Sequence, residues 1–320
     1  MASDEFSLIE RYFRCGIGSG DGVRIGVGDD GALLSVDPGE ELVVTVDTLV
    51  ADVHFPAAGA AAEVAQRALR VNLSDLAAMA ATPRWFLLAL TLPTADADWL
   101  ADFASGLAEA ANTYGCTLVG GDTTRGPLAV TITALGTVPA GATLPRSGAA
   151  AGDWVLVTGS LGGAAAALAE MRERSGCRAR SPDLDARYWR PEPRLAEARA
   201  LRGLASAAID VSDGLLADLG HIACASGLGA ELSLETLPLD VAAVERCGVA
   251  RVREWALGAG DDYELCFTVA PQHAGEVQAL IAGGGLNATR VGQLVAGTGV
   301  RVRDRHGRLL DIAQTGYRHF

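Results

Sequence analysis

RIGVGDDGALL, residues 24–34, sets two carboxylates, Asp29 and Asp30, side by side between glycines, with apolar residues on either flank. Adjacent Asp side chains repel, so solvent or a hard cation has to offset them. Alone, an Asp-Asp-Gly run is more often just a solvated turn. Recurrence changes its weight. Acidic punctuation of an apolar run returns in VVTVDTLVADVHF (43–55), VNLSDLAAM (71–79), LVGGDTTRG (118–126), AIDVSDGLLADLGH (208–221) and GAGDDYELCF (258–267).

The bulk properties narrow the classes. A chain of 320 residues holds about two domains. Apolar content of 49% is ample for a core, and no apolar run approaches the ~20 residues of a membrane span. The acidic start MASDEFSLIERYF lacks a basic n-region, so no signal peptide is expected. Cys15, Cys116, Cys177, Cys224, Cys247 and Cys266 form no CxxC pair, which speaks against disulfides or zinc and fits the cytoplasm. All 26 Lys+Arg positions are Arg. That excludes a Walker-A lysine, a protein-kinase lysine and a lysine Schiff base, while leaving Arg for phosphate grip. Through Pro139 there are 7 Arg against 18 Asp and Glu; from Ala140 there are 19 against 21, which together give the net charge of −13. The acidic excess of the first part argues against a nucleic-acid partner and suits cation binding or simple solubility.

Local patterns place these motifs. Residues 5–14 read as a short helix, 24–35 and 41–47 as strands, and 60–80 as a helix. Val64, Ala68, Val71, Ala78 and Met79 recur at ~100° per residue in that helix, with Asp75 in the middle of the same stripe. A carboxylate there is costly unless it is paired, bound to a metal or hydrogen-bonded to a turn. A buried strand is expected at 85–92, a helix at 95–114 closed by Gly115, a short strand at 116–119 ending in Gly120-Gly121-Asp122, and a strand at 128–138. Glycines beside Asp122 let a phosphate approach the backbone. Residues 139–145 are the best linker, with Arg146-Ser147-Gly148 at its end. DWVLVTGSLGG (153–163) reads as a strand entering a Gly-rich turn and a helix over 163–173; such a turn more often reflects tight packing than a nucleotide loop. Residues 174–195 read mostly as loop. Ala207–Asp210 leads into Ser212-Asp213-Gly214 and a helix to about Ala225, with Ser212 read as its N-cap and Asp213 suiting the helix dipole. Strands follow near 230–234, 264–269, 288–295 and 299–303, and a hairpin turn at 304–307.

Taken in order, GVGDDGALL, TVDTLVADVHF, RALRVNLSDLAAMAATP, LVGGDTTRGPL, RSGAAAGDWVLVTG, IDVSDGLLADLGHI and GAGDDYELCFTV closely resemble the thiamine-monophosphate kinase family. That family belongs to the ATP-binding superfamily of aminoimidazole ribonucleotide synthetase and selenophosphate synthetase. The resemblance runs from Phe6 to Phe320. It implies a two-domain α/β protein: an N-terminal ATP- and Mg-binding, dimer-forming domain over 1–139 with a mixed sheet, a linker over 140–151, and a C-terminal α/β sandwich over 152–320. It also implies ATP-dependent phosphorylation of thiamine monophosphate to thiamine diphosphate, several Mg²⁺ ions, and a cytoplasmic homodimer with no nucleic-acid or membrane partner. Carried over residue by residue, it implies metal positions at Asp30, Thr45, Val46 (through its carbonyl), Asp47, Asp75, Asp122, Asp210 and Asp213. Of these, Asp47, Asp75, Asp122 and Asp210 would carry the catalysis. Nucleotide contacts would be Gly121, Asp122, Arg146 and Ser212, and substrate contacts His54, Asp261 and Tyr317. Asp261 departs from the family's Gly-Gly-Glu-Asp, so its shorter carboxylate needs a bridging water to reach the thiamine.

The residue types agree with that chemistry. Joining a phosphate to ATP brings two polyanions together, so charge and alignment set the barrier. The acceptor oxygen is already ionised and needs no strong base, which fits five histidines without a triad-like arrangement. Rival readings are a relative of aminoimidazole ribonucleotide synthetase, a metal-dependent phosphohydrolase and a non-catalytic nucleotide sensor.

Overall fold

The structure, a computed structural model, describes residues 9–14, 20–173, 181–312 and 316–317. The helix expected over 5–14 is described from Ile9 onward, as a π-helical turn Ile9–Arg14. The chain divides into two compact units, 1–76 with 81–141, and 77–80 with 142–320. The α/β fold class read from the sequence holds.

The first unit is built on a four-stranded sheet in the order β3-β6-β4-β5, from β3 (Glu40–Val50), β4 (Thr82–Leu92), β5 (Thr117–Arg125) and β6 (Ala129–Pro139). Side chains alternate between its faces. Leu88, Leu90 and Leu92 of β4 and Val130, Ile132 and Ala134 of β6 are buried on one face. The helices α1 (Ala61–Ala78) and α2 (Ala97–Tyr114) supply apolar residues to this unit. Asp96 caps α2 by accepting from the Asp98 and Trp99 amides, and Gly115 closes it at φ 64.

Three sequence expectations are corrected here. The strand expected over 24–35 is two short strands, β1 (Val23–Ile25) and β2 (Leu33–Leu34), paired antiparallel across the acidic turn. The Gly-rich centre bends instead of extending, with Gly28 at φ 112. The apolar stripe of α1 is wider than expected: Ala65, Leu69, Leu73 and Leu76 are as buried as Val64 and Ala68. Strand β5 does not stop at Val119 but runs through Gly120-Gly121-Asp122 to Arg125. Its register against β4 slips by one residue, from Phe86↔Leu118 to Leu87↔Gly120, which is a bulge.

The second unit carries a six-stranded sheet in the order β12-β9-β11-β7-β10-β8: β7 (Trp154–Thr158), β8 (Ala205–Asp210), β9 (Gly229–Ser233), β10 (Leu265–Val269), β11 (Ala288–Val295) and β12 (Gly299–Arg303). All pairs are antiparallel except β12 with β9. Helices α3 (Gly163–Arg172), α4 (Pro182–Trp189), α5 (Leu195–Ala200), α6 (Leu215–Ala225), α7 (Val241–Cys247), α8 (Val249–Gly258) and α9 (Ala274–Ala282) complete it. Val157, Ile209, Leu219, Ile222, Leu257 and Cys266 join in one apolar core.

The loop expected over 174–195 contains α4, and α5 begins at its end; residues 174–180 lie outside the described part. Ser181 caps α4 and Pro182 opens it, a start signal set within a Pro-broken, polar stretch. Ser212 is not the N-cap of α6, which begins after Gly214. Among the described residues the cysteines are unpaired, and burial drives the Cys116 and Cys266 thiol pKa values upward. No described helix is long and apolar enough to cross a membrane.

Candidate functional site

In the first unit the candidate donors, Asp30 apart, sit on regular elements. Thr45, Val46 and Asp47 lie in the middle of β3, opposite Ala134, Thr133 and Ile132 of β6. Asp75, from α1, accepts a 2.6 Å hydrogen bond from Thr45 Oγ1. Asn72, one turn earlier on α1, uses its side-chain oxygen to accept the Asp47 backbone N–H at 3.0 Å. β3 is an edge strand, so this N–H has no ladder partner on that side and the helix supplies one. Asn72 is itself held by donating to the Ala68 carbonyl. The helical stripe that contains Asp75 thus delivers a carboxylate to β3. Asp75 is half-buried and Asp47 exposed.

Asp122 is placed differently. Register pairs it with Ala89 on β4, which pairs with Thr131 on β6 and so with Thr48 on β3. Thr48 shares a face with Val46, Val44 and Leu42, and Asp47 shares the opposite face with Thr45. Asp122 and the Val46 side chain therefore lie on one side of the sheet, and Thr45, Asp47 and Asp75 on the other. Gly121 sits at φ 152, and a Cβ there would meet the Leu88 carbonyl oxygen at 1.8 Å. The close approach of β4 requires its missing side chain, whatever ligand it also meets.

Asp30 is exposed in the turn between β1 and β2, and its amide donates to the Asp29 carboxylate. His54 follows β3; its Nδ1 accepts the Val50 N–H at 3.0 Å, so the neutral ring carries its proton on Nε2.

In the second unit the candidate donors sit at a strand end and on loops. Asp210 ends β8, buried and opposite Leu265. Arg146 is exposed beside Pro145, whose carbonyl accepts the Ala208 N–H of β8. Ser212 and Asp213 follow Asp210 directly, and the structure brings Asp261 and Tyr317 to them. The Asp261 amide donates to the Ser212 carbonyl at 2.8 Å, and the Tyr317 amide to the Asp213 carbonyl at 3.0 Å. Asp261 and Tyr263 adopt φ values of 65° and 51°, unfavourable for residues with a Cβ. Gly260, at φ 75, approaches so closely that a Cβ would meet the Ser212 carbonyl oxygen at 2.2 Å. Tyr263 Oη donates to Asp261 Oδ1 at 3.2 Å.

Behind this loop lies a polar network that the sequence reading left unassigned. Asp262 is buried, and both its oxygens accept the Gly162 N–H. Burial pushes its carboxyl up to about 8, against the opposing effects of that hydrogen bond and of Arg187. Glu264, 1% exposed, accepts from Arg194 at 2.5 and 2.6 Å and from Thr158 Oγ1 at 2.7 Å. Arg187 also reaches Glu264 and Asp240. Asp218 is buried on α6, and burial, with the Asp213 charge adding, raises its carboxyl to about 7.

All the candidate donors are hard oxygens, the set magnesium prefers, and two of them, on Thr45 and Asp75, already touch. Among the described residues, no three or more His, Cys, Asp or Glu side chains gather into a metal-holding group within the chain.

Comparison with known proteins supplies the context. Residues 28–138 match the N-terminal domain model of AIR synthase related proteins, and 150–305 match the C-terminal one. Thiamine-monophosphate kinase of Salmonella typhimurium is 45% identical over 100% of this chain and 99% of its own. The crystal structure of thiamine-monophosphate kinase from Stenotrophomonas maltophilia aligns with a TM-score of 0.82 at 44% identity, covering 88% of this chain and 91% of that one. The structure of AaThiL complexed with AMPPCP and TMP aligns with a TM-score of 0.78 at 30% identity, covering 92% of each chain. With that identity sustained over the full length of both chains, and with both domain models in sequence order, this chain belongs to the thiamine-monophosphate kinase family.

Proposed function

We propose that this enzyme transfers the γ-phosphoryl group of ATP directly, in line, onto the phosphate of thiamine monophosphate, giving thiamine diphosphate. The observation that carries the reading is the full-length relation to thiamine-monophosphate kinases. AaThiL, with AMPPCP and TMP bound, supports the choice of both substrates. The chain's own residues have work suited to this. Arg146 provides a fixed positive charge for a nucleotide phosphate, and Ser212 and Gly121 offer further nucleotide contacts. His54, with its proton on Nε2, can donate to a substrate oxygen, while Asp261 and Tyr317 hold the thiamine side. Asp30, Thr45, Asp47, Asp75, Asp122, Asp210, Asp213 and the Val46 carbonyl would hold magnesium. When bound, magnesium would neutralise the charge of the two phosphate tails and order them. The acceptor oxygen is ionised at neutral pH, so no side chain has to act as a strong base.

We assign the nucleotide- and metal-binding domain to 1–139, the linker to 140–151 and the substrate-contacting domain to 152–320, in a cytoplasmic homodimer. Leu42, Val44 and Val46 support the homodimer: they are 45%, 55% and 59% exposed in a row on one face of β3. A second copy covering that face would also cover the face that bears Asp122. The deciding experiment follows ATP consumption with and without thiamine monophosphate. Consumption should require the acceptor and yield thiamine diphosphate. Phosphate release without acceptor would point to a phosphohydrolase.

A further inference from the structure

The loop Val211–Gly214 joins Asp210 at the end of β8 to helix α6, and it carries Ser212 and Asp213. Its backbone is engaged on two sides. On one side, the Val211 amide donates to the Glu264 carbonyl at 2.7 Å, the Val211 carbonyl accepts the Tyr263 N–H at 2.9 Å, and the Ser212 carbonyl accepts the Asp261 N–H at 2.8 Å. The Asp213 carbonyl accepts the Tyr317 N–H at 3.0 Å. On the other side, one carboxylate oxygen of Asp218, Oδ2, accepts both the Asp213 N–H at 3.1 Å and the Gly214 N–H at 3.0 Å. Asp218 lies in the first turn of α6 and is 2% exposed. Its own amide donates back to the Gly214 carbonyl at 3.0 Å, which closes the turn on itself.

A buried carboxylate is expensive to keep, and a solvated Asp near a helix start needs no such burial. This one takes two amides from the loop whose carbonyls hold Asp261 and Tyr317. A change in the direction of the Asp213 peptide would therefore move three things together: the Asp213 side chain, the Asp261 backbone and the Tyr317 backbone. We propose that Asp218 is a positioning residue, the buried pin that fixes the Val211–Gly214 loop so that the nucleotide-side and thiamine-side residues of the second unit keep one mutual geometry. It touches neither substrate. The proposal deepens the function proposed above and rests on that reading for the roles of Ser212, Asp213, Asp261 and Tyr317.

The test compares Asp218→Ala with Asp218→Asn in the full-length enzyme with ATP, Mg²⁺ and thiamine monophosphate. Ala removes the acceptor; Asn loses the charge but keeps an oxygen that both amides can reach. A misplaced loop costs the transition state more than the bound ground state. Asp218→Ala should thus lower kcat at least about 30-fold while each KM changes less than about threefold, and Asp218→Asn should recover most of the loss. Binding of AMPPCP measured with and without thiamine monophosphate gives a second readout. Any coupling between the two ligands in the wild type should shrink toward unity in Asp218→Ala. An Ala variant within twofold of wild type, or an Asn variant as impaired as Ala, overturns the proposal. If Ala does not fold, amide exchange on the wild type decides. The Asp213 and Gly214 amides should exchange only with global opening, and exchange at the rate of an exposed loop overturns the pin. An Asp213→Asn variant with full activity would instead sink the functional reading of the loop, leaving the amide protection intact.

Discussion

The two units hold their candidate donors in opposite ways. In the first, Thr45, Asp47 and Asp75 project from a strand and a helix whose geometry is set by ladder and helical hydrogen bonds, and Asp47 is exposed. In the second, Ser212, Asp213 and Asp261 sit on loops, Asp261 and its neighbour Tyr263 adopt costly φ values, and buried Asp218 holds the Asp213 and Gly214 amides from behind. The lesson is that chemistry and stability are separable in the first unit and entangled in the second. A carboxylate on a regular element can be altered with little effect on folding. A loop that depends on buried charges transmits every change to its own shape.

The largest effect sharpens the first half of that contrast. Asp47→Asn and Asp75→Asn should each lower turnover by about 10³-fold or more, with melting temperatures close to wild type. Steady-state kinetics over a Mg²⁺ series and thermal denaturation check this. Near-wild-type activity at limiting Mg²⁺ would remove the ligand assignment.

The second half breaks if Glu264 is dispensable. Glu264→Gln removes the buried carboxylate from half-buried Arg194, which keeps Glu197 at 3.6 Å, and should cost about 1.5–3 kcal/mol of stability, read by denaturant unfolding. Activity measured on the folded fraction should fall as well, because the Glu264 carbonyl belongs to the same segment that holds Val211.

How far the sequence foretold this division follows from where the signals lie. Strands β3, β4 and β6 and helices α1 and α2 of the first unit were legible because their apolar periods of two and 3.6 are local, and Gly115 marks a helix end by its lack of a Cβ, whereas the split into β1 and β2 and the length of β5 were not. Asp75 stood out because a carboxylate interrupted an apolar stripe. Helix α4 was hidden because PDLDARYW is short and polar, and only Ser181-Pro182 announced it. Asp218 was not legible at all. An acid in the first helical turn is ordinary, and only the packing of the chain makes this one buried. The opposite faces of Asp47 and Asp122 depend on strand register and a bulge, which no local pattern encodes.

Arg146 offers a smaller effect. It is exposed yet close enough for its charge to lower the Asp218 pKa, against the larger effect of burial. Arg146→Ala should slow turnover about 30- to 150-fold, and Arg146→Lys should not restore it, because an ammonium lacks the planar fork of a guanidinium. Kinetics with ATP varied at saturating thiamine monophosphate would show both variants impaired. Rates within about twofold of wild type would make Arg146 a linker residue only.

The remaining effect is a pH dependence. The Asp262 carboxyl is raised to about 8 by burial, so the folded state binds a proton that the unfolded state has released. Its contribution to stability is full below the ordinary carboxyl range and is lost as pH rises toward and through 8. Asp262→Asn keeps an acceptor for Gly162 without the titration. Its stability relative to wild type should therefore increase between pH 4 and 8 and level off above. Unfolding curves across that range test the sign; a difference that stays flat would mean the carboxyl is not held neutral.

The central claim is direct transfer between two aligned phosphates, with the chain positioning and no side chain taking the phosphoryl group. The stereochemical course at phosphorus tests it most directly. ATP made chiral at the γ-phosphorus with oxygen isotopes is turned over with thiamine monophosphate, and the configuration of the terminal phosphate of thiamine diphosphate is read by phosphorus NMR. A single in-line displacement predicts inversion. Retention would require an even number of displacements, hence a phosphorylated enzyme, and would contradict the account.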